Sequence, residues 1–437
     1  MVAWDRPRSN EIDIGADTQS PRFIPYYRTE CGDATTEPGH IVRIFRSTGN
    51  ETRTELPLGT QALFEEDMYS MFDHAYLRTT SPLPQRVTSE SVRIADLFCG
   101  CGGLSLGALE ACQTLGKRLL PVLALDKDSI AVRVYERNFQ PERALDKDVA
   151  EVLDGEIGSE PTKTEEELLR AIGRIEILLA GPPCQGYSSL NNFTRQNDHR
   201  NALYERVARF VEIARPVHVL VENIPTVIHS KEMVVQKTIR LMKALGYSVD
   251  DGIIDLSTIG VPQKRKRHVI VASKSRLVSV ERVIDNNRVK KERSFAWAAL
   301  ELAGEATMNI LDTPTKHSQE NLRRIMFLHR HQVYDLPDEL RPRCHRFKKH
   351  GYKSMYGRMR LDEPAQTITS GFMSPGQGRF IHPTKPRTIT PHEAARLQLF
   401  PDYFDFSQAT TRQSLASLIG NAAPMKLSYA FCLDLLC

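Results

Sequence analysis

The sequence predicts an α/β fold: a mostly parallel sheet covered on both faces by helices, followed by a smaller, irregular domain. Three observations carry that expectation. Short apolar runs alternate with helix-length segments between residues 92 and 272, the signature of strand–helix–strand units. A glycine-rich stretch, Cys99-Gly100-Cys101-Gly102-Gly103, joins the first apolar run to the first helical pattern. After about Lys274 the alternation stops and turn-forming and basic residues take over.

In chain order, residues 1–90 read as a distinct opening region of unassigned role, either a polar extension packed on the main domain or an arm that contacts DNA or a second copy of the chain. It has turn signals at 35–39 and 47–50 and a helix expected over 60–75. A buried strand is expected at 92–98, a helix at 104–115 and a second strand at 119–125 that ends in Asp126. A helix over 129–138 follows. The apolar run 175–180 ends at Gly181-Pro182-Pro183. Helices over 204–214 and 234–245 alternate with strands at 217–221, near Ile253 and at 269–272. Ligands on such sheets sit at the carboxyl ends of the strands. The chemically suggestive residues fall there: 96–103, Asp126, 182–185 and 222–225.

Bulk composition narrows the class without naming a function. At 41% hydrophobic and 26% charged residues the chain is an ordinary globular protein. Its net charge of +4 is too small to mark a nucleic-acid binder alone. Charge is instead clustered, in Lys264-Arg265-Lys266-Arg267 and in residues 341–353, which hold six Lys or Arg and no acid. Eight cysteines without a CxxC pair argue against a zinc ribbon or a thioredoxin-like motif and for a reducing, cytoplasmic setting. No metal site is expected. No run approaches the ~20 apolar residues that span a bilayer, and the opening MVAWDRPRSNEIDIG lacks a secretory pattern.

Four motifs carry chemistry. In Asp96-Leu97-Phe98-Cys99-Gly100-Cys101-Gly102-Gly103 the glycines permit a sharp turn and close approach of the backbone to a ligand, with free N–H groups at the following helix. Asp126 ends the next strand, where an acid can hold two ribose hydroxyls. Asp148 could accept from an adenine amino group. Either acid could equally be a helix cap. Together they suggest an adenosine-bearing cofactor without saying which. Second, Gly181-Pro182-Pro183-Cys184-Gln185-Gly186 presents a cysteine in a turn at a strand end. Such a thiol can act as a nucleophile once its pKa is lowered, whereas Cys112 and Cys432 read as buried small hydrophobes. Third, Glu222 directly follows the apolar strand of Val219-Leu220-Val221, so it is partly desolvated and placed to lend a proton to a ring nitrogen. Fourth, Arg265 and Arg267 alternate along a strand; one could steady Glu222 while the other donates to a carbonyl oxygen.

The order of these motifs resembles the DNA (cytosine-5)-methyltransferase family: DLFCGCGG, GPPCQGYS, VENIP, PQKRKRHVIV, TPHEAARL through Phe400-Pro401, and GNAAP at 420–424. The resemblance runs from about Arg93 to the C-terminus. It implies a Rossmann-like S-adenosylmethionine-dependent methyltransferase domain over 91–285 and a smaller target-recognition domain over 286–385. A segment over 386–437 would return to the catalytic domain. It implies that Cys184 is the nucleophile, that Glu222 contacts cytosine N3, and that Arg265 and Arg267 are the active-site arginines. Phe98, Gly100, Gly102, Asp126, Asp148, Pro183, Leu203 and Asn421 would surround S-adenosyl-L-methionine. Lys127 stands where an aromatic or apolar residue often packs on the adenine.

The implied reaction is methylation of C5 of a cytosine flipped out of double-stranded DNA, through an adduct between Cys184 and C6, with Arg267 donating to the cytosine O2. Residues 188–199 are expected to form a mobile loop over the flipped base. Ser188, Arg341, Arg343, Arg346, Lys348 and Lys349 are the candidate DNA contacts. A cognate restriction endonuclease acting on the same site is the implied functional partner, in a bacterial, nucleoid-associated setting. Two rival readings are an RNA cytosine-5 methyltransferase and a catalytically silent DNA-binding regulatory subunit. The first lacks the cysteine–phenylalanine–threonine segment usual in its relatives; the second is opposed by the intact Cys184, Glu222, Arg265 and Arg267.

Overall fold

The computed structural model describes residues 25–30, 39–47, 50–58, 67–85, 90–183, 202–230, 233–304, 309–346 and 354–437. The opening region is a three-stranded antiparallel sheet, β1 (Tyr26–Glu30), β2 (His40–Ser47) and β3 (Asn50–Pro57), followed by helix α1 (Met68–Leu77). Asp67 caps α1 by accepting from the Ser70 N–H at 2.7 Å. The region is less polar than its sequence suggests. Ile41, Leu56, Met71, Phe72, Tyr76 and Leu77 share one apolar core with the rest of the molecule.

The expected alternation then unfolds in order: β4 (Ser91–Leu97), α2 (Gly103–Leu115), β5 (Arg118–Leu125), α3 (Ser129–Phe139), β6 (Ala144–Leu145), α4 (Val149–Val152) and α5 (Lys163–Ile172). Next come β7 (Ile177–Ala180), α6 (Ala202–Ala214), β8 (His218–Asn223), α7 (Val234–Ala244), β9 (Ser248–Asp255), β10 (Gln263–Lys264) and β11 (Lys266–Ser273). All of these strands except β10 build a seven-stranded sheet in the order β6-β5-β4-β7-β8-β11-β9. Six strands point the same way; β11 alone is reversed, running antiparallel to both β8 and β9. Every residue of β7 is buried, as a strand covered on both faces must be. From β4 the chain winds one way to β5 and β6, then crosses to β7 and β8 on the other side. The crevice at that reversal is where ligands enter such sheets.

Beyond the sheet lie α8 (Val280–Asn287), α9 (Phe295–Ala299), α10 (Gln319–Arg330), α11 (Arg343–Arg346) and β12 (Ala365–Gln366). The chain then forms α12 (Pro391–Leu397), α13 (Arg412–Asn421) and α14 (Met425–Leu436). Ile325, Leu328, Leu336, Met355, Tyr356 and Ile381 form a small core of their own. Phe295, Trp297, Ile368, Phe372 and Phe380, from the same stretch of sequence, belong instead to the main core. Helix α14 lies along α2, and two glycines make that approach possible. A Cβ on Gly103 would sit 2.2 Å from the Ala423 carbonyl oxygen, and one on Gly107 2.0 Å from that of Met425.

Candidate active site

A cavity of about 590 Å3 opens at the carboxyl ends of β4, β5, β7 and β8. One half is built by the glycine loop. Phe98, Gly100 and Gly102 all have positive φ, at 58°, 53° and 95°. Only the two glycines adopt that region without cost, so Phe98 is held there by its surroundings. Gly100 and Gly103 line the cavity, but Gly102 does not. Gly102 is the N-cap of α2, where a Cβ would strike the Phe139 ring at 2.3 Å. Its task is to turn the chain and admit that ring.

Asp126 fixes the loop. Its Oδ2 accepts from the Gly100 N–H and its Oδ1 from the Asp128 N–H, both at 2.9 Å. Burial raises its carboxyl above the ordinary value, and the two N–H groups oppose that rise. Asp148 lines the same wall and also caps α4 through the Ala150 N–H at 3.0 Å. The cap reading and the ligand reading of this acid are therefore compatible. Phe98, Pro183, Leu203 and Asn421 complete the lining, and Lys127 stands exposed beside Asp126.

The other half of the cavity belongs to β7, β8 and the arginine segment. Glu222 lies near the end of β8, 3.8 Å from where a side chain on Gly181 would begin. Its Oε1 pairs with Arg267 Nε at 2.5 Å, and each side chain retains 12% exposure. Arg267 Nη1 also donates to the Lys266 carbonyl at 2.8 Å. Arg267 is thus the arginine that steadies the acid. Arg265 is buried in the same cavity wall, with its guanidinium bound to backbone carbonyls. Its Nη1 donates to the Ile368 carbonyl and its Nη2 to that of Ala422, both at 3.0 Å. Burial pushes its guanidinium well below its usual value, and Arg267 nearby pushes the same way.

Cys184 lies outside the described residues, as do Ser188, the loop 188–199, Lys348 and Lys349. Pro182, the second residue before Cys184, is anchored through its carbonyl, which accepts from Asn223 Nδ2 at 3.2 Å. The described thiols are poor nucleophiles. Cys99, Cys101, Cys112 and Cys432 are buried, and burial pushes Cys101 and Cys112 each up to about 12. Two of the basic residues offered as DNA contacts are occupied with their own turn. Arg341 Nε donates to the Leu336 carbonyl at 3.0 Å, and Arg346 Nη2 to that of Arg341 at 3.0 Å. Arg343 is exposed.

Sequence reasoning missed the wall formed by Thr367, Ile368, Thr369 and Ser370. Small polar residues in an irregular stretch carry no periodicity to mark them. The described groups suit an adenosine-bearing methyl donor: carboxylates at one end, an N–H-rich turn below, and a volume within the usual range for small-molecule sites. Among the described residues no cluster of ligands could hold a metal ion, and no helix is long and apolar enough to cross a membrane.

Comparison with known proteins places this architecture. The profile of C-5 cytosine-specific DNA methylases matches residues 92–436, from the second residue of β4 to the last of α14. The type II methyltransferase M1.BsuMI of Bacillus subtilis (strain 168) is 43% identical over 394 residues, 90% of this chain and 92% of its own. The type II methylase M.HgiDII of Herpetosiphon aurantiacus is 30% identical over 348 residues, 76% of this chain and 92% of its own. The crystal structure of the S. pombe Dnmt2 methyltransferase shares the fold, with a TM-score of 0.52 at 18% identity, covering 79% of this chain and 98% of that one. The chain therefore belongs to the C-5 cytosine-specific DNA methylase family and is a DNA (cytosine-5-)-methyltransferase whose methyl donor is S-adenosyl-L-methionine.

Proposed function

We propose that the enzyme methylates a flipped-out cytosine within a specific duplex sequence through a covalent adduct to Cys184. The observation that carries this reading is the Glu222–Arg267 pair at 2.5 Å, set in the cavity wall beside the 181–183 turn that leads into Cys184. Carbon 5 of cytosine is a weak nucleophile. Attack of the Cys184 thiolate forms an S–C6 bond and moves the C5–C6 π electrons into the ring. Glu222 meets that charge by giving a proton to N3, and Arg267 holds the acid in line for it. Carbon 5 then has enamine character. S-adenosyl-L-methionine supplies the methyl group as an electrophile on a sulfonium. Loss of the C5 proton and departure of the Cys184 sulfur restore the aromatic ring. A base stacked in a duplex offers neither face to these groups, so it must leave the stack.

Asp126 and Asp148 would receive the ribose and adenine of the donor, with Phe98, Pro183, Leu203 and Asn421 around it. Arg341, Arg343 and Arg346, and Ser188, Lys348 and Lys349 outside the described residues, remain the candidates for DNA contact. The relatives named as type II enzymes support a role in restriction–modification, in which methylation shields the site from a cognate endonuclease on the bacterial chromosome.

The test is transfer of labelled methyl to unmethylated bacterial DNA. Cys184→Ala is expected to abolish transfer, and duplex DNA carrying 5-fluorocytosine at the target to leave a covalent enzyme–DNA adduct in the wild type. Full activity of Cys184→Ala, or absence of the adduct at a site methylated when it holds cytosine, would overturn the mechanism.

A further inference from the structure

Three segments far apart in sequence meet behind the cavity: 263–267, 367–370 and 417–423. Each contributes to the cavity wall. Behind them lies a pair of fully buried amides, Gln263 and Gln398, neither of which lines the cavity. Gln263 Nε2 donates to Gln398 Oε1 at 2.7 Å and to the Leu397 carbonyl at 2.8 Å. Gln263 Oε1 accepts from the Ile368 N–H at 3.0 Å. Gln398 Nε2 donates to the carbonyls of Ile419 at 2.6 Å and Ala422 at 3.3 Å. Arg265 closes the ring, since the Ala422 carbonyl that Gln398 reaches is also bound by Arg265 Nη2, while Nη1 holds Ile368.

The backbones of the two outer segments also touch. A Cβ on Gly420 would fall 2.2 Å from the Ser370 nitrogen and 2.3 Å from the Thr369 carbonyl carbon. The 367–370 segment continues β12, which pairs in parallel with β10. It joins the irregular region on one side to the active-site arginines on the other. The 419–422 segment carries Asn421 on the cofactor side of the cavity. Buried amides whose donors and acceptors are mutually matched have few alternative arrangements, because each misplaced group would be left unpaired. A shift of 367–370 is therefore passed to 419–422 rather than absorbed.

We propose that Gln398, acting with Gln263, is a positioning residue that ties the placement of the 367–370 segment to the cofactor side of the cavity. DNA engagement and cofactor binding thereby become energetically linked. The inference rests on the assignment of Asp126 and Asn421 to the cofactor side.

The experiment compares KM for S-adenosyl-L-methionine and kcat on unmethylated bacterial DNA, and cofactor affinity with and without that DNA. Gln398→Glu keeps the acceptor for Gln263 but turns the donor to Ile419 and Ala422 into a repelling oxygen. It is expected to raise the cofactor KM by about tenfold, the scale of one unpaired buried polar group, with a smaller fall in kcat. Any tightening of cofactor by DNA should disappear in it. Gln263→Glu keeps the Ile368 bond and removes the donor to Gln398, so it should shift cofactor KM in the same direction by less. This second variant decides the matter if Gln398→Glu does not fold.

A merely structural role would lower the melting temperature and kcat while leaving cofactor KM as in wild type. That outcome in the folded variant, or DNA–cofactor coupling equal to wild type, would overturn the proposal. Asp126→Asn separates the two claims. If it leaves cofactor affinity unchanged, the cavity assignment fails; if it weakens affinity while the Gln398 variant does not, only the coupling fails.

Discussion

Two carboxylate–guanidinium systems in this molecule use the same groups for opposite ends. Beneath the N-terminal sheet, Arg43 pairs with Glu110 of α2 at 2.8 Å, with both side chains 1% exposed. Close by, Asp73 of α1 binds Lys426 at 2.8 Å and Arg293 at 2.6 Å. Burial alone would raise the Asp73 carboxyl, but Lys426 and Arg293 outweigh it and hold the group below the usual carboxylate range. Arg43 also lies over the Phe72 ring at 4.4 Å, and Arg293 over that of Trp297 at 4.5 Å. This cluster fixes β2, α1, α2, α14 and residue 293 to one another. At the cavity, Glu222 and Arg267 form a single pair that still meets solvent. The first system is closed and has no side toward a ligand. The second leaves the acid held on one side and accessible on the other. A buried ion pair by itself therefore says little about function; an ion pair with one open face in a cavity says a great deal.

Mutation can break or sharpen this contrast. The largest effect is expected for Glu222→Gln, which keeps shape and removes the transferable proton. The turnover number should fall by about 10²–10⁴-fold, the usual yield of a general acid, with the denaturation midpoint unchanged. A loss of stability matching the loss of rate would place Glu222 with the structural cluster. Next is Asp73→Ala, which leaves Lys426 and Arg293 buried without their acid. It should cost about 3–5 kcal/mol of stability, read by chemical denaturation, while transfer per folded molecule stays roughly constant. A fall in kcat at full folding would show that the cluster reaches the chemistry.

The smallest effect concerns His392 on α12, whose ring nitrogens lie 2.7 Å from Asp312 and 2.9 Å from Asp402. Burial lowers its pKa and Arg396 opposes its charge, but the bonds to Asp402 and Asp312 prevail and raise it. Its folded value then exceeds the unfolded value of about 6.5. The stabilisation is complete below that pH and is lost as pH rises through the higher folded value. Melting curves of wild type and His392→Gln should differ most at low pH and converge as pH rises. Parallel curves would show that the imidazole is not charged in this clamp.

The sheet was legible because its strands are short apolar runs with functional residues at their carboxyl ends. Leu119 to Asp126 and Val219 to Glu222 read almost as they fold. The antiparallel placement of β11 was not, since an apolar run has no direction. The N-terminal sheet escaped for another reason. In β2 and β3 the charges Arg43, Arg46, Glu51, Arg53 and Glu55 mask the strand pattern, and Arg43 is buried only because Glu110 awaits it 67 residues on. On α5, the capping box of Thr162 and Glu165 was a readable signal for a helix the sequence reading left out. At the site, the motifs marked the cavity residues Phe98, Gly100, Asp126, Glu222 and Arg267 and assigned Arg267 to the cytosine O2, but they could not tell which arginine reaches Glu222. That depends on Ile368 and Ala422, more than 100 residues from the arginines.

The contact of Gly103 and Gly107 with Ala423 and Met425 has a consequence for the order in which the protein becomes competent. The glycine loop emerges early in synthesis, yet part of its cavity is walled by residues 417–423, and one face of α2 finds its cover in α14. A chain released before those residues would carry every acid and arginine of the proposed chemistry and still lack the closed cavity in which they act. The cavity is in this sense complete only once the 417–423 segment is in place.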